Sequence, residues 1–159
     1  MHAHFLVRIL IATDGSPQSQ AAIDAVVGRP WPEGTIVRVV TAAPYPYLFT
    51  PFQWYTAEQA IAATIDEQSK EHAHSIADAA AGRLREAGFA AESVVREGDP
   101  RIVIVQEASD WNTDLIMIGS HGYTGLRRLL LGSVAQHVVS HAPCSVEVVR
   151  GREENADAS

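Results

Sequence analysis

The sequence predicts an α/β fold: an open five-stranded parallel sheet in the order 3-2-1-4-5, with helices on both faces. Two observations carry that expectation. Short apolar runs alternate with helix-compatible segments as β-α-β-α-β-α-β-α-β, the pattern of a parallel sheet with crossover helices. The runs are also unbroken, as in Ile9-Leu10-Ile11-Ala12 and Leu115-Ile116-Met117-Ile118, which suits strands buried on both faces.

The first strand covers Arg8 to Thr13. Asp14-Gly15-Ser16-Pro17 punctuates it, with Ser16 as N-cap and Pro17 at the first helical position. The helix that follows runs to about Val27 and presents Ala21, Ala22, Ala25 and Val26 on one side. Residues 29–34 form a turn, and Thr35 to Ala42 is the second strand. Residues 43–56 hold Pro44, Pro46 and Pro51 among Tyr45, Tyr47, Phe49, Phe52, Trp54 and Tyr55. The prolines oppose regular structure. So many aromatics need a surface to pack on, either a cleft wall or a second subunit.

A long helix is expected from Ala57 to about Ala87, with Ile61, Ile65, Ala73, Ile76, Ala80 and Leu84 forming a stripe and Gly88 as C-cap. Ala91 to Arg96 is the third strand, Arg101 to Trp111 a helix after the Gly98-Asp99-Pro100 turn, and Leu115 to Ile118 the fourth strand. A helix from Ser133 to about Ser140 and a strand over Ser145–Val149 complete one domain, residues 1–150. Residues 151–159 are expected to be a polar, disordered tail.

At 159 residues the chain suits one domain with a real core. A net charge of −7 argues against a nucleic-acid or anionic-membrane surface, because both need basic patches. No segment reaches membrane-spanning length, and no targeting pattern is present. Cys144 is the single cysteine, so an internal disulfide is impossible and a reducing, cytoplasmic setting is expected. Cys144 reads as a small buried hydrophobe more readily than as a reactive thiol.

The run from Gly119 to Ser133, Gly-Ser-His-Gly-Tyr-Thr-Gly-Leu-Arg-Arg-Leu-Leu-Leu-Gly-Ser, bears most on function. Gly119 and Gly122 leave the backbone bare for an anion, and Gly132-Ser133 opens a helix with unpaired N–H groups. A strand, a glycine loop and a helix start, in that order, make a phosphate cradle. Ligands of open α/β sheets bind beyond the carboxyl ends of the strands where the winding reverses. In the 3-2-1-4-5 order that crevice lies between strands 1 and 4, where Asp14 and the Gly119 loop converge.

Two segments resemble the universal stress protein family: Ile9 through Ser16, and Asp114 through Gly122 with Gly132-Ser133-Val134-Ala135 and Ala142-Pro143-Cys144. The resemblance spans roughly residues 6–150, and in this family the Gly-x2-Gly-x9-Gly-Ser spacing marks the ATP-binding branch. It implies a Rossmann-like fold of the adenine nucleotide alpha hydrolase type and an ATP ligand. Asp14 would hold the ribose hydroxyls or lie near the adenosine, Ala12 would line that pocket, and the backbone of Val39 would meet the adenine edge. The alignment at strand 2 is the loosest, and Val40 is the alternative. Gly119, His121 and Gly122 would wrap the phosphates from one side, with Gly132, Ser133 and Val134 on the other. Mg²⁺ or Mn²⁺ would be bound through the phosphates and not in a protein cage. The family also implies a homodimer through the last strand. Its Val146, Val148 and Val149 make an apolar edge that needs cover.

Each residue has a plainer reading. Asp14 suits an Asx-turn, His121 a solvated loop, Ser133 a simple cap, and Arg127-Arg128 a solvated turn. His137 and His141 have a metal-binding spacing but no evident third ligand, so no metal site is assigned; His72 and His74 read as surface. The glycine loop lacks a Walker lysine, and no Gly-x-Ser-x-Gly occurs, so no catalytic residues are assigned. The expectation is an ATP-binding regulatory protein of the stress response, with at most slow hydrolysis. A cyclic-AMP binder and a nucleotide-free, partner-binding dimer are the alternatives.

Overall fold

A computed structural model describes residues 6–45, 57–121 and 131–151. The elements are β1 (Arg8–Ala12), α1 (Pro17–Val27), β2 (Ile36–Ala43), α2 (Ala57–Glu86), β3 (Ala90–Glu97), α3 (Pro100–Asp110), β4 (Leu115–Gly119), α4 (Ser133–His141) and β5 (Ser145–Val149). Boundaries fall within a residue or two of the sequence expectation. The aromatic segment from Pro46 to Tyr55, the center of the glycine loop with Gly122, Arg127 and Arg128, and the tail from Arg152 lie outside the described residues.

The sheet order is β3-β2-β1-β4-β5, and every pair is parallel. The central strand β1 aligns Ala12 with Val40 on one side and with Ile118 on the other. Alternation of side chains along the strands separates two cores. Ile9, Ile11, Val37, Val39 and Met117 pack with Ile23 and Val26 of α1 and with Leu84 of α2. Leu10, Ala12, Val40, Ile116 and Ile118 pack with Ile104 of α3 and Val138 of α4 on the opposite face. The crossover from β3 to β4 therefore changes sides, and the winding reverses between β1 and β4. Ile9, Leu10 and Ile11 are fully buried, each worth about 1.5–3 kcal/mol in transfer from water.

The helix α2 outruns the sheet. Lys70 Nζ lies 2.6 Å from Glu97, the last residue of β3. Residues 57–69 then continue past the carboxyl edge by about 20 Å at 1.5 Å per residue.

A charged network ties α3 to the sheet. Glu107 is fully buried. Its Oε1 is 2.7 Å from Arg38 Nη1 of β2, and its Oε2 pairs with Arg96 Nε of β3. The Arg38 guanidinium also sits 4.5 Å from the Trp111 ring centroid.

Candidate functional site

The loops after β1 and β4 leave the sheet side by side, because Ala12 and Ile118 are register partners. They then diverge to opposite faces, which opens the crevice. The two helix starts there differ in a way that bears on ligand chemistry. At α1, Ser16 is the N-cap and its Oγ accepts from Ser19 N–H at 3.2 Å. Ser19 Oγ donates to Ser16 C=O at 2.9 Å, and a further hydroxyl contact of 2.9 Å joins it to Thr13. That terminus is capped by its own side chains.

At α4 the N-cap is Gly132, which has no side chain to cap the helix. Gln136 N–H reaches Gly132 C=O at 3.0 Å, but the N–H groups of Ser133, Val134 and Ala135 precede the helical ladder. Among the described residues nothing acidic lies at this helix start, whose partial positive charge favours an anion.

Hydrogen bonds hold this opening against β4 and β5. Gly132 N–H donates to Ser120 C=O at 2.8 Å, and Ser120 N–H donates to Val149 C=O at 3.0 Å. His121 Nδ1 lies 3.0 Å from Ser120 Oγ. His121 and Gly132 are thus brought together at the two ends of the glycine loop. Gly122, between them in sequence, lies outside the described residues.

The two described glycines of the motif are small for packing reasons. A Cβ on Gly119 would stand 2.6 Å from Gln18 C=O and 3.0 Å from Ser19 N, so the first turn of α1 lies directly on this glycine. A Cβ on Gly132 would meet Ser120 C=O at 3.2 Å and His121 Cα at 3.4 Å. Both glycines set how closely the crevice walls approach.

Asp14 stands exposed at the mouth. Its Oδ1 accepts from Ser16 N–H at 2.9 Å, an Asx-turn. Oδ2 has no partner among the described residues. The plain reading of Asp14 is realised in the structure, and it leaves one carboxylate oxygen for a ligand. Ala12 lies at the end of β1, nearly buried, beneath this mouth.

Val39 is placed differently from the expectation. It aligns with Ile11, one residue short of the end of β1, and its side chain is fully buried. Backbone direction also alternates along β2. Val40 C=O accepts from Thr13 N–H on the β1 side at 3.1 Å, and Ala43 C=O accepts from Gly98 N–H on the β3 side at 2.8 Å. Val39 therefore points its N–H and C=O toward β3, with Ala43. Ala42 points toward β1, beyond the last residue of that strand, and has no backbone partner there among the described residues. No motif fixes the register of strand 2, so the sequence does not single out Ala42. Beside it, Thr41 is buried with a hydroxyl that has no hydrogen-bond partner among the described residues.

Among the described residues, no group of three or more His, Cys, Asp or Glu side chains is arranged to hold a metal. His137 and His141 stack with ring centroids 4.1 Å apart. Cys144 is partly buried, and burial raises its thiol above the ordinary range, which disfavours the reactive thiolate. No described helix is long and apolar enough to cross a membrane.

Known proteins share this architecture. A protein of Staphylococcus aureus (strain USA300) that carries the universal stress protein name is 34% identical over 154 residues, covering 94% of this chain and 87% of its own. The solved structure of the hypothetical protein MJ0577 superposes with a TM-score of 0.77 at 25% identity, covering 92% of this chain and 96% of that one. A universal stress protein family member from Arabidopsis thaliana with AMP bound gives a TM-score of 0.67 at 16% identity, covering 92% and 93%. A universal stress protein in complex with cAMP gives 0.65 at 21%, covering 92% and 98%. The model of the universal stress protein family matches residues 7–150, and with a crevice built between the first and fourth strands, the chain belongs to that family.

Proposed function

We propose that this protein binds an adenine nucleotide, ATP in preference to AMP or cyclic AMP, and works as a nucleotide-responsive regulator. The observation that carries this reading is the α4 terminus. Its cap, Gly132, contributes no side-chain oxygen, and it is hydrogen-bonded to Ser120 at the mouth of the crevice. The phosphates would meet the N–H groups of Ser133 and Val134 and the Ser133 hydroxyl, with His121 and Gly122 on the other side. A divalent ion, Mg²⁺ or Mn²⁺, would come with the nucleotide through its phosphate oxygens.

The base would sit over the end of β2. Adenine presents a donor and an acceptor side by side, and a strand residue with free N–H and C=O offers the complement. Ala42 fits that role by direction, and we assign it in place of Val39. Asp14 Oδ2 would take a ribose hydroxyl. The two family members solved with AMP and with cAMP support an adenine ligand for this fold.

Binding, with at most slow hydrolysis, fits the residues better than phosphoryl transfer. Transfer needs positioned cationic charge at the phosphates and an oriented nucleophile. The Gly119–Ser133 run has no Walker lysine. A homodimer through β5 belongs to the same reading. Among the described residues β5 pairs with β4 alone, and Val146, Val148 and Val149 on it are only half-buried.

Mass spectrometry of small molecules released from freshly purified protein tests the nucleotide. ATP or ADP should be recovered near one per chain. Recovery of cyclic AMP instead, or an empty protein indifferent to added ATP, would defeat the reading.

A further inference from the structure

We propose that Tyr45 forms the far wall of the base site and stacks its ring on the adenine of a bound nucleotide. The proposal deepens the nucleotide reading above and rests on it.

Tyr45 stands out by its exposure. It is 70% exposed, although an aromatic ring gains more from burial than most side chains. The ring is nevertheless held. A Cβ on Gly98 would stand 3.3 Å from both Cζ and Oη of Tyr45 and 3.1 Å from Cγ2 of Val103. The tip of the ring therefore rests on the bare backbone of Gly98, with Val103 of α3 alongside. Gly98 is buried, and its φ of +140° favours glycine. The stem of the side chain is restrained by sequence, because Pro44 precedes Tyr45 and Pro46 follows it. A residue before a proline is kept extended. A ring restrained at tip and stem loses little freedom when a ligand covers it.

The position matches the base site. Gly98 N–H donates to Ala43 C=O at 2.8 Å, so Gly98 lies beside the end of β2 on the β3 side. Ala42, whose backbone faces the opening, packs against the same core as Val103. Tyr45 and Ala42 thus share one face and one edge of the sheet. A nucleotide with its phosphates at the α4 terminus and its ribose at Asp14 runs along the carboxyl edge from β4 across β1 to β2. Tyr45 stands at the end of that line. The backbone of Ala42 can read the edge of a base but offers nothing to its faces. The Tyr45 ring supplies that apolar plane.

The test titrates ATP and inorganic tripolyphosphate into the native chain, Tyr45→Phe and Tyr45→Ala. Tyr45 is exposed, so neither substitution opens the core. Tyr45→Ala should weaken ATP binding about five- to a hundredfold, the range for loss of one base–aromatic stack, and leave tripolyphosphate binding unchanged. Tyr45→Phe keeps the plane and should bind ATP within about twofold of the native chain. In the native ATP complex, nuclear Overhauser contacts should join the adenine ring protons to the Tyr45 ring protons, which comparison with Tyr45→Phe identifies. A ring that only supported the fold would give none. Native affinity for ATP in Tyr45→Ala, an equal loss for tripolyphosphate, or missing ring contacts would overturn the proposal and leave the nucleotide reading in place. A native chain that binds no ATP would remove both.

Discussion

Gly119 and Ser133 bracket the candidate cradle, and they answer to different physics. Gly119 is a packing residue, since a Cβ there would lie 2.6 Å from the Gln18 carbonyl. Backbone cannot yield as a flexible side chain does. Gly119→Ala should therefore cost about 1–3 kcal/mol of stability, the usual range for an overpacked site, read from denaturant midpoints. An unchanged midpoint would show that α1 can withdraw from β4. Ser133 is exposed at the first position of α4. Ser133→Asp should hold or raise the melting temperature, because an acidic residue favours a helix start. The same carboxylate should repel phosphate and weaken ATP binding by about tenfold, equivalent to ~1.4 kcal/mol. The sequence made this pair visible as a motif but did not distinguish the packing glycine from the proposed ligand position. That difference depends on where α1 lies in space.

The helices show how far local sequence carries. Ser16-Pro17 and Asp99-Pro100 are start signals, and both are helix caps in the structure. Asp99 Oδ1 accepts from Arg101 N–H at 2.9 Å, and its carboxylate pairs with the Arg101 guanidinium. The side-chain hydrogen bond to Arg101, then its backbone N–H, hold the Asp99 carboxyl at about 2, below its ordinary 3.8. A depressed carboxyl stabilises the fold above its unfolded pKa, and that contribution is lost as pH falls from about 4 through 2. Asp99→Asn should flatten this part of the acid stability profile while leaving α3 folded at neutral pH. A profile unchanged by the substitution would refute the assignment. By contrast, nothing in the string Ile104-Val105-Gln106-Glu107-Ala108 marks Glu107 as buried. Its burial follows from Arg38 and Arg96 arriving on two other strands. Glu107→Ala would remove the buried partner of Arg38 and Arg96, which keep Glu92 and Asp110, and should cost about 1–3 kcal/mol in equilibrium unfolding. A loss below ~1 kcal/mol would mean that the arginines reach water freely.

At the scale of the molecule, the parallel sheet was legible because unbroken apolar runs alternate with helices, and 3-2-1-4-5 is one of the few orders such a sheet admits. The crevice between β1 and β4 followed from that order. The direction of the backbone at the end of strand 2 did not, since Val39 points its N–H and C=O at β3 and Ala42 is the residue that faces the opening. A one-residue change along a strand reverses direction, and strand 2 carries no motif to fix it. The central claim is that an uncapped α4 terminus, latched to the end of β4, makes this family member a nucleotide binder. Calorimetric titration of ATP into the native protein and into Ser133→Asp, with melting curves for both, tests it most directly. The account predicts one ATP per chain for the native protein, weaker binding for the variant and no loss of thermal stability. Native protein that takes up no ATP, or a variant that binds as tightly as the native chain, would contradict it.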